Sequence, residues 1–270
     1  MIIDDIGNRM KGEYESISKT ALKRKNPVII RIDGKAFHTF TKNFDKPFDD
    51  IMIETMQETM KYLCENIQGC VLGYTQSDEI SLLLIDYKRP ESEAWYNYEV
   101  QKVCSVSASM ATLIFNKIFR EKVEELSDLY HEAWNINDDV WNYLKEMEKA
   151  VQIGAMFDSR CFNIPEDDVT NYFYWRQLDA KRNSIMSLAR IYFSQKDLNG
   201  KNSGEVKDML LNQKDVDWNS FDNSKKIGSC CIRMELTSTS KTKWLIDEDI
   251  PVFLNEGRNY IEDRIVIEEQ

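Results

Sequence analysis

Asp33 closes an apolar run, Val28-Ile29-Ile30-Arg31-Ile32, and stands directly before Gly34. Asp78 lies in Gln76-Ser77-Asp78-Glu79, between two further apolar runs. A carboxylate at a strand end reaches a ligand without entering the core, and a following glycine lets the backbone approach that ligand. Two such carboxylates facing each other can hold a pair of Mg²⁺ ions, which orient a triphosphate and stabilise both oxygens of an in-line displacement. Taken singly, each is also the aspartate that an ordinary turn uses; only the strand context raises the metal-binding reading. The other metal chemistries are closed off. There are two histidines, His38 and His131, and the six cysteines (Cys64, Cys70, Cys104, Cys161, Cys230, Cys231) contain no CxxC pair. Oxygen ligands then imply magnesium, manganese or calcium.

The elements that must position these groups follow from periodicity. Ile6, Met10, Tyr14, Ile17 and Leu22 predict an amphipathic helix over 6–24, and Val28 to Ile32 a strand. Met52, Met56, Met60, Leu63 and Ile67 form a helical stripe closed by Gly69. Residues 70–74 and 80–85 read as a hairpin around Gln76 to Glu79. A helix follows over 93–120, with a small-residue face (Ser105, Ser107, Ala108, Ser109, Ala111), and a strand runs from Phe157 to Ile164. Helix 166–195 and a strand from Ile227 to Leu236 complete the pattern. The order strand, helix, strand, strand, helix, strand is the split βαβ of ferredoxin-like domains, an α+β fold with two helices on one face of an antiparallel sheet. In it the first and third strands are neighbours, so the end of the first, at Asp33, and the start of the third, at Asp78, can face each other.

Arg31-Ile32-Asp33-Gly34-Lys35-Ala36-Phe37-His38, Lys46-Pro47-Phe48-Asp49, Gly73 to Ser81, Phe157-Asp158-Ser159-Arg160 and Trp175-Arg176-Gln177-Leu178-Asp179 resemble, in this order, the tRNA-His guanylyltransferase superfamily. The resemblance runs from about residue 7 to residue 235. It implies a ferredoxin-like βαββαβ polymerase/cyclase palm with added helices, made of residues 1–120 and 151–235. A helical insertion would occupy 121–150 and a C-terminal extension 236–270. It implies nucleotide addition to the 5′ end of RNA in the 3′-to-5′ direction, with two Mg²⁺ ions and with ATP and GTP as substrates. A triphosphate activates a 5′-monophosphate, and the 3′-hydroxyl of the incoming nucleotide then displaces the activating group. By resemblance, Asp33, the Gly34 carbonyl and Asp78 are the metal ligands. Asp33, Gly34, Lys35, Ala36, Phe37, His38, Ser77 and Asp78 line the nucleotide site, and Lys46, Lys102 and Arg160 contact triphosphate. A homotetramer is the family's usual state.

Family members dedicated to tRNA-His carry a His-Ile-Asn-Asn-Leu-Tyr-Asn run after the Trp-Arg-Gln block. Here the run is Lys181-Arg182-Asn183-Ser184-Ile185-Met186-Ser187. This is similar to the guanylyltransferase-like branch that repairs 5′-truncated tRNAs against the opposite strand. Lys181, Arg182 and Asn183 are its candidate RNA contacts. Glu79, by alternation, is expected to be a solvated neighbour of Asp78, His38 a polar group under the sheet, and Trp175 and Trp218 core aromatics.

The net charge of −11 argues against a uniformly basic nucleic-acid binder. Lys23-Arg24-Lys25, Arg176, Lys181-Arg182, Lys225-Lys226 and Lys241 with Lys243 can still assemble a phosphate track, because the acidic residues concentrate at 121–149 and in the tail after 246. Met1 is followed by Ile-Ile-Asp-Asp, with no basic n-region and no apolar run of membrane length, so a cytoplasmic protein without a membrane span is expected. Two rivals share the fold. A nucleotide cyclase or diguanylate-forming enzyme needs a Gly-Gly-Asp-Glu-Phe-like run, which is absent. A non-catalytic RNA-binding module predicts loss of the strand-end carboxylates, which are present.

Overall fold

A computed structural model of the chain describes residues 2–88, 91–132, 138–236 and 241–265. Val28, Ile29, Ile30 and Ile32 are fully buried because their strand, β1 (Val28–Gly34), lies inside a sheet covered on both faces. Its companions are β2 (Cys70–Gln76), β3 (Glu79–Leu84), β4 (Phe157–Asn163), β5 (Ser229–Leu236) and β6 (Lys241–Asp247). The sheet order is β4-β1-β3-β2-β5-β6, every pair antiparallel. The first four strands are the expected ferredoxin-like set, and β5 and β6 widen it beyond β2. Sequence reading missed β6: in the described part only Trp244 is buried, so this edge strand carries no apolar alternation.

The helices in chain order are α1 (Ile2–Met10), α2 (Phe37–Phe40), α3 (Asp50–Asn66), α4 (Val100–Glu132), α5 (Asp138–Ile153), α6 (Glu166–Tyr192), α7 (Gln195–Leu198), α8 (Ser203–Lys214), α9 (Asn223–Lys226) and α10 (Asn259–Glu262). Strand alternation sorts the core into two. Val28, Ile30 and Ile32 pack with Met56, Met60, Phe115 and Phe119 beneath α3 and α4. Ile29 and Leu83 face the other way, against Tyr172 and Phe173 of α6 and against Ile250, Phe253, Ile261 and Ile265. The two helices of the βαββαβ set, α3 and α4, thus share one face as expected, and the added helix α6 with the segment from Ile250 to Ile265 covers the other. The physical reason is that β1 and β3 are apolar on both sides, and each side needs a cover.

Other boundaries move as well. Regular α-helix at the start ends at Met10, and the helical turns that follow end at Ser18; the apolar stripe of Ile6, Met10, Tyr14 and Ile17 is exposed rather than packed. Residue 120 falls inside α4, which runs on to Glu132, and α5 buries Leu144, Met147 and Ala150 in the same core as α3 and α4. Of the small-residue face, Ser107 and Ala111 are buried, with Ser107 Oγ 2.8 Å from Ser159 Oγ of β4, while Ser105 and Ser109 are exposed. All six cysteines are free. Residues 133–137 of the expected insertion, and 237–240 and 266–270 of the expected extension, lie outside the described residues.

Asp49 caps α3 and ties three segments together. Its carboxylate accepts from the backbone N–H of Met52 (2.9 Å) and of Asp45 (3.1 Å), and from the Tyr143 hydroxyl of α5 (2.9 Å). Asp49→Ala is expected to lower the unfolding free energy by about 1–2 kcal/mol, the usual loss for an N-cap. Tyr143→Phe, which removes one of the three bonds, is expected to cost about 1 kcal/mol. Urea denaturation of both variants checks this; equal stabilities would show that the cap is idle.

Candidate active site

The pairing of β1 with β3 puts Asp33 opposite Glu79, and the Gly34 N–H donates to the Asp78 carbonyl at 3.0 Å. The strand end and the hairpin turn are thereby clamped side by side, so the Asp33 and Asp78 carboxylates share one site. Gly34 is required: a Cβ there would stand 2.2 Å from the Phe37 ring, which is anchored against Phe40, Phe115 and Phe157. After it the chain turns through Ala36 (φ 56°) into α2, and in the hairpin Ser77 takes φ 52°.

These turns form one end of a cleft of about 790 Å³. Its lining includes Asp33, Gly34, Ala36, Phe37, His38, Lys46, Ser77 and Asp78, then Arg182, Asn183 and Arg190 of α6, and Lys225 and Lys226 of α9. Burial raises the Asp78 carboxyl above the usual carboxylate range, and the nearby Asp33 charge adds to the rise. Two carboxylates that repel each other beside the Gly34 backbone are a donor set of oxygens only, which suits a hard divalent cation. The residues present therefore fit Mg²⁺. Lys46 Nζ donates to the Thr41 carbonyl (2.8 Å), a neutral acceptor, which leaves its charge available to an anion.

The structure does not bring every predicted residue to this cleft. Lys35, Lys102, Arg160 and Lys181 lie outside its lining. The Lys35 side chain is exposed; its backbone N–H donates to the Met156 carbonyl (2.8 Å). Lys102 projects from α4, with its ammonium 6.0 Å from the Tyr96 ring centroid. Arg160 approaches Asp33 across the sheet edge at 3.9 Å, but its nearer partner is Asp158 at 3.0 Å. Lys181 points to Trp218, 5.9 Å from its ring centroid. Phe37 reaches the cleft chiefly as a core anchor, being itself buried.

Four expectations are corrected. Glu79 is not a solvated neighbour: it is 6% exposed and accepts two hydrogen bonds from Arg176, both 2.7 Å. Burial pushes its carboxyl up against the opposing pull of that guanidinium. Arg176 is accordingly a buried structural cation, not part of a phosphate track. His38 is exposed at the cleft rather than under the sheet. Trp175 is 52% exposed, with the Arg176 guanidinium 4.4 Å from its ring centroid, whereas Trp218 is buried as expected. Sequence reading also missed Arg190. It follows Arg182 and Met186 at intervals of four, the helical spacing that puts all three on the cleft side of α6.

A family model described as tRNAHis guanylyltransferase matches residues 7–165. The chain belongs to that family. It is a nucleotidyltransferase of tRNA processing. Among solved structures it is similar to a bacterial tRNA(His) guanylyltransferase-like protein in complex with ATP. That chain is 37% identical with a TM-score of 0.80, over 97% of this chain and 100% of the other. A bacterial guanylyltransferase-like protein in complex with GTP is 35% identical, with a TM-score of 0.77, over 97% and 99%. The tRNA(His) guanylyltransferase of Schizosaccharomyces pombe is 25% identical, over 82% of this chain and 78% of its own length. The enzyme from Saccharomyces cerevisiae shares the fold, with a TM-score of 0.60. No helix among the described residues is long and apolar enough to cross a membrane.

The buried pair makes a stability prediction. Arg176→Met leaves Glu79 buried without its cation, and such a loss costs about 3–5 kcal/mol. Adding Glu79→Gln removes the stranded charge, so the double variant is expected to recover at least half of that loss. Chemical denaturation of both decides it; no recovery in the double variant would mean that Arg176 acts through packing alone.

Proposed function

We propose that this enzyme repairs the 5′ ends of tRNAs by template-dependent 3′-to-5′ nucleotide addition. The reading is carried by the full-length likeness to the bacterial guanylyltransferase-like proteins, which spans 97% of this chain at 37% and 35% identity. The replaced run, Lys181 to Ser187, agrees with it. The alternative, addition of the extra 5′ guanosine to tRNA-His, is favoured by the description of the matching family model.

In the proposed reaction a 5′-monophosphate oxygen attacks the α-phosphorus of ATP or GTP, and pyrophosphate leaves. The 3′-hydroxyl of the incoming triphosphate then attacks the activated 5′-phosphorus, and the nucleoside monophosphate leaves. Asp33, the Gly34 carbonyl and Asp78 would hold two Mg²⁺ ions, which supply charge stabilisation at the transferred phosphorus. Ala36, Phe37, His38 and Ser77 shape the nucleotide end of the cleft. Lys46, not paired with any carboxylate among the described residues, binds triphosphate. Lys35, Lys102 and Arg160 lie outside the lining, and the proposal keeps Lys102 and Arg160 as triphosphate contacts at its margin. Lys181, Arg182 and Asn183 contact RNA beyond the nucleotide. A homotetramer in the cytoplasm is part of the same proposal.

Asp33→Ala and Asp78→Ala are each expected to abolish addition while the protein stays folded, because both side chains lie outside the apolar clusters. Turnover near the wild-type rate in Mg²⁺ by either variant would remove the metal assignment. Substrate choice separates the two readings. With tRNAs lacking their first nucleotide, the repair reading expects addition that follows the base opposite the gap and ignores an anticodon swap. A requirement for the histidine anticodon would return the enzyme to dedicated guanosine addition.

A further inference from the structure

Three lysines from three elements converge on one indole. Trp218, buried beside α6 and α8, has the ammonium groups of Lys207, Lys226 and Lys181 at 4.6, 5.5 and 5.9 Å from its ring centroid. The ring is fixed in place. Its Nε1 donates to Ser184 Oγ (3.2 Å), which lies within 3.0 Å of the carbonyls of both Lys181 and Lys226. One residue positions two of the ammonium groups: Lys207 Nζ donates to Asn219 Oδ1 and Lys226 Nζ to the Asn219 carbonyl, each at 2.9 Å. Asn219 is in turn held by Asp217 Oδ1 through its backbone N–H and its side-chain amide, each at 2.8 Å.

Every acceptor on these lysines is thus a neutral oxygen or the ring face. Among the described residues none of the three ammonium groups is ion-paired, whereas the neighbouring Arg182 and Lys225 are, with Asp179 and Asp50. The chain carries 46 acidic residues against 35 basic, yet the carboxylate at this spot, Asp217, binds Asn219 and forms no ion pair with any of the three ammonium groups. Like charges gathered around one ring repel, and cation–π attraction offsets only part of that. The remainder is what an external anion would supply. Lys226 also lines the cleft, whereas Lys181 and Lys207 lie beyond it, so the cluster continues the basic wall outward from the candidate active site.

We propose that Lys181, Lys207 and Lys226 around Trp218 form an anchoring site for the phosphodiester backbone of the RNA substrate, running from the wall of the nucleotide cleft at Lys226 outward to Lys181 and Lys207. This rests on the reading of the protein as an enzyme acting on RNA 5′ ends. Ammonium groups meet phosphates as point charges and read no base, so the site holds RNA of any sequence. Trp218, being buried, is the floor that gathers the lysines rather than a stacking surface.

Lys207→Gln tests the site, because Lys207 lies outside the cleft lining. Binding of a 5′-phosphorylated tRNA lacking its first nucleotide is followed by fluorescence anisotropy between about 50 and 200 mM KCl. The variant is expected to bind roughly three- to tenfold more weakly at about 150 mM salt, with the slope of log K against log salt reduced by about one. The loss should be alike for tRNAs of different sequence, Lys207→Arg should keep the wild-type slope, and ATP binding by calorimetry should be unchanged in both. Lys207→Ser provides the same readout if Lys207→Gln does not fold. Unchanged affinity and slope, while the wild type binds and extends the tRNA, would overturn the anchoring site and leave the proposed function standing. A wild type that neither binds nor extends any tRNA would overturn both. A loss of ATP binding in Lys207→Gln would overturn the anchoring site by assigning the cluster to the nucleotide.

Discussion

The site depends on one pairing, that of β1 with β3. Its register sets Asp33 opposite Glu79, and one further bond, Gly34 N–H to the Asp78 carbonyl, clamps the turn of the β2–β3 hairpin against the end of β1. A shift of one residue would send Asp33 to the opposite face and Ile32 into the cleft. The buried alternation of Val28, Ile30 and Ile32 against α3 and α4, and of Ile29 against α6, forbids that shift. The geometry of two carboxylates is thus held by apolar residues that never touch a ligand.

The second constraint is the Arg176–Glu79 pair, which locks α6 to the sheet directly behind Asp78. It costs desolvation on both sides, and its return is orientation: α6 is held so that Arg182, Asn183 and Arg190 face the cleft. Asp179 extends the same network, accepting from Arg176 at 3.0 Å and from Arg182 at 2.6 Å. Arg182 and Asn183, two of the α6 residues that line the cleft, are therefore tied through one carboxylate to Arg176 and so to Glu79 beside the candidate metal ligands.

Charge is divided in space rather than balanced along the chain. The overall excess is acidic, while Lys46, Arg182, Arg190, Lys225 and Lys226 gather at one cleft with Asp33 and Asp78 at its end. Arg182 and Lys225 are ion-paired, so among the described residues Lys46, Arg190 and Lys226 are the lining cations left to give a local field that suits an anionic ligand. Net charge describes the average surface and says little about such a local field.

Much of this was legible in the sequence, because strand alternation and helix periodicity are local properties. The four strands of the βαββαβ set, helix α3, and the meeting of Asp33 with Asp78 all follow from apolar spacing together with the neighbour rule for that topology. Strand β6 was not legible, since an edge strand exposed on its outer side needs no apolar pattern. The fates of Glu79 and Trp175 were not legible either. Whether a carboxylate is solvated or buried depends on what lies over it, and the cover for Glu79 is supplied by Arg176, ninety-seven residues further along the chain. The same holds for the lysines around Trp218, which three separate elements deliver to one ring. The sequence by itself determined the strands and helices that carry an apolar period and the carboxylates that end them. Only the tertiary structure decided which charges are paired, buried or left open, because pairing is set by distances between segments far apart in the chain.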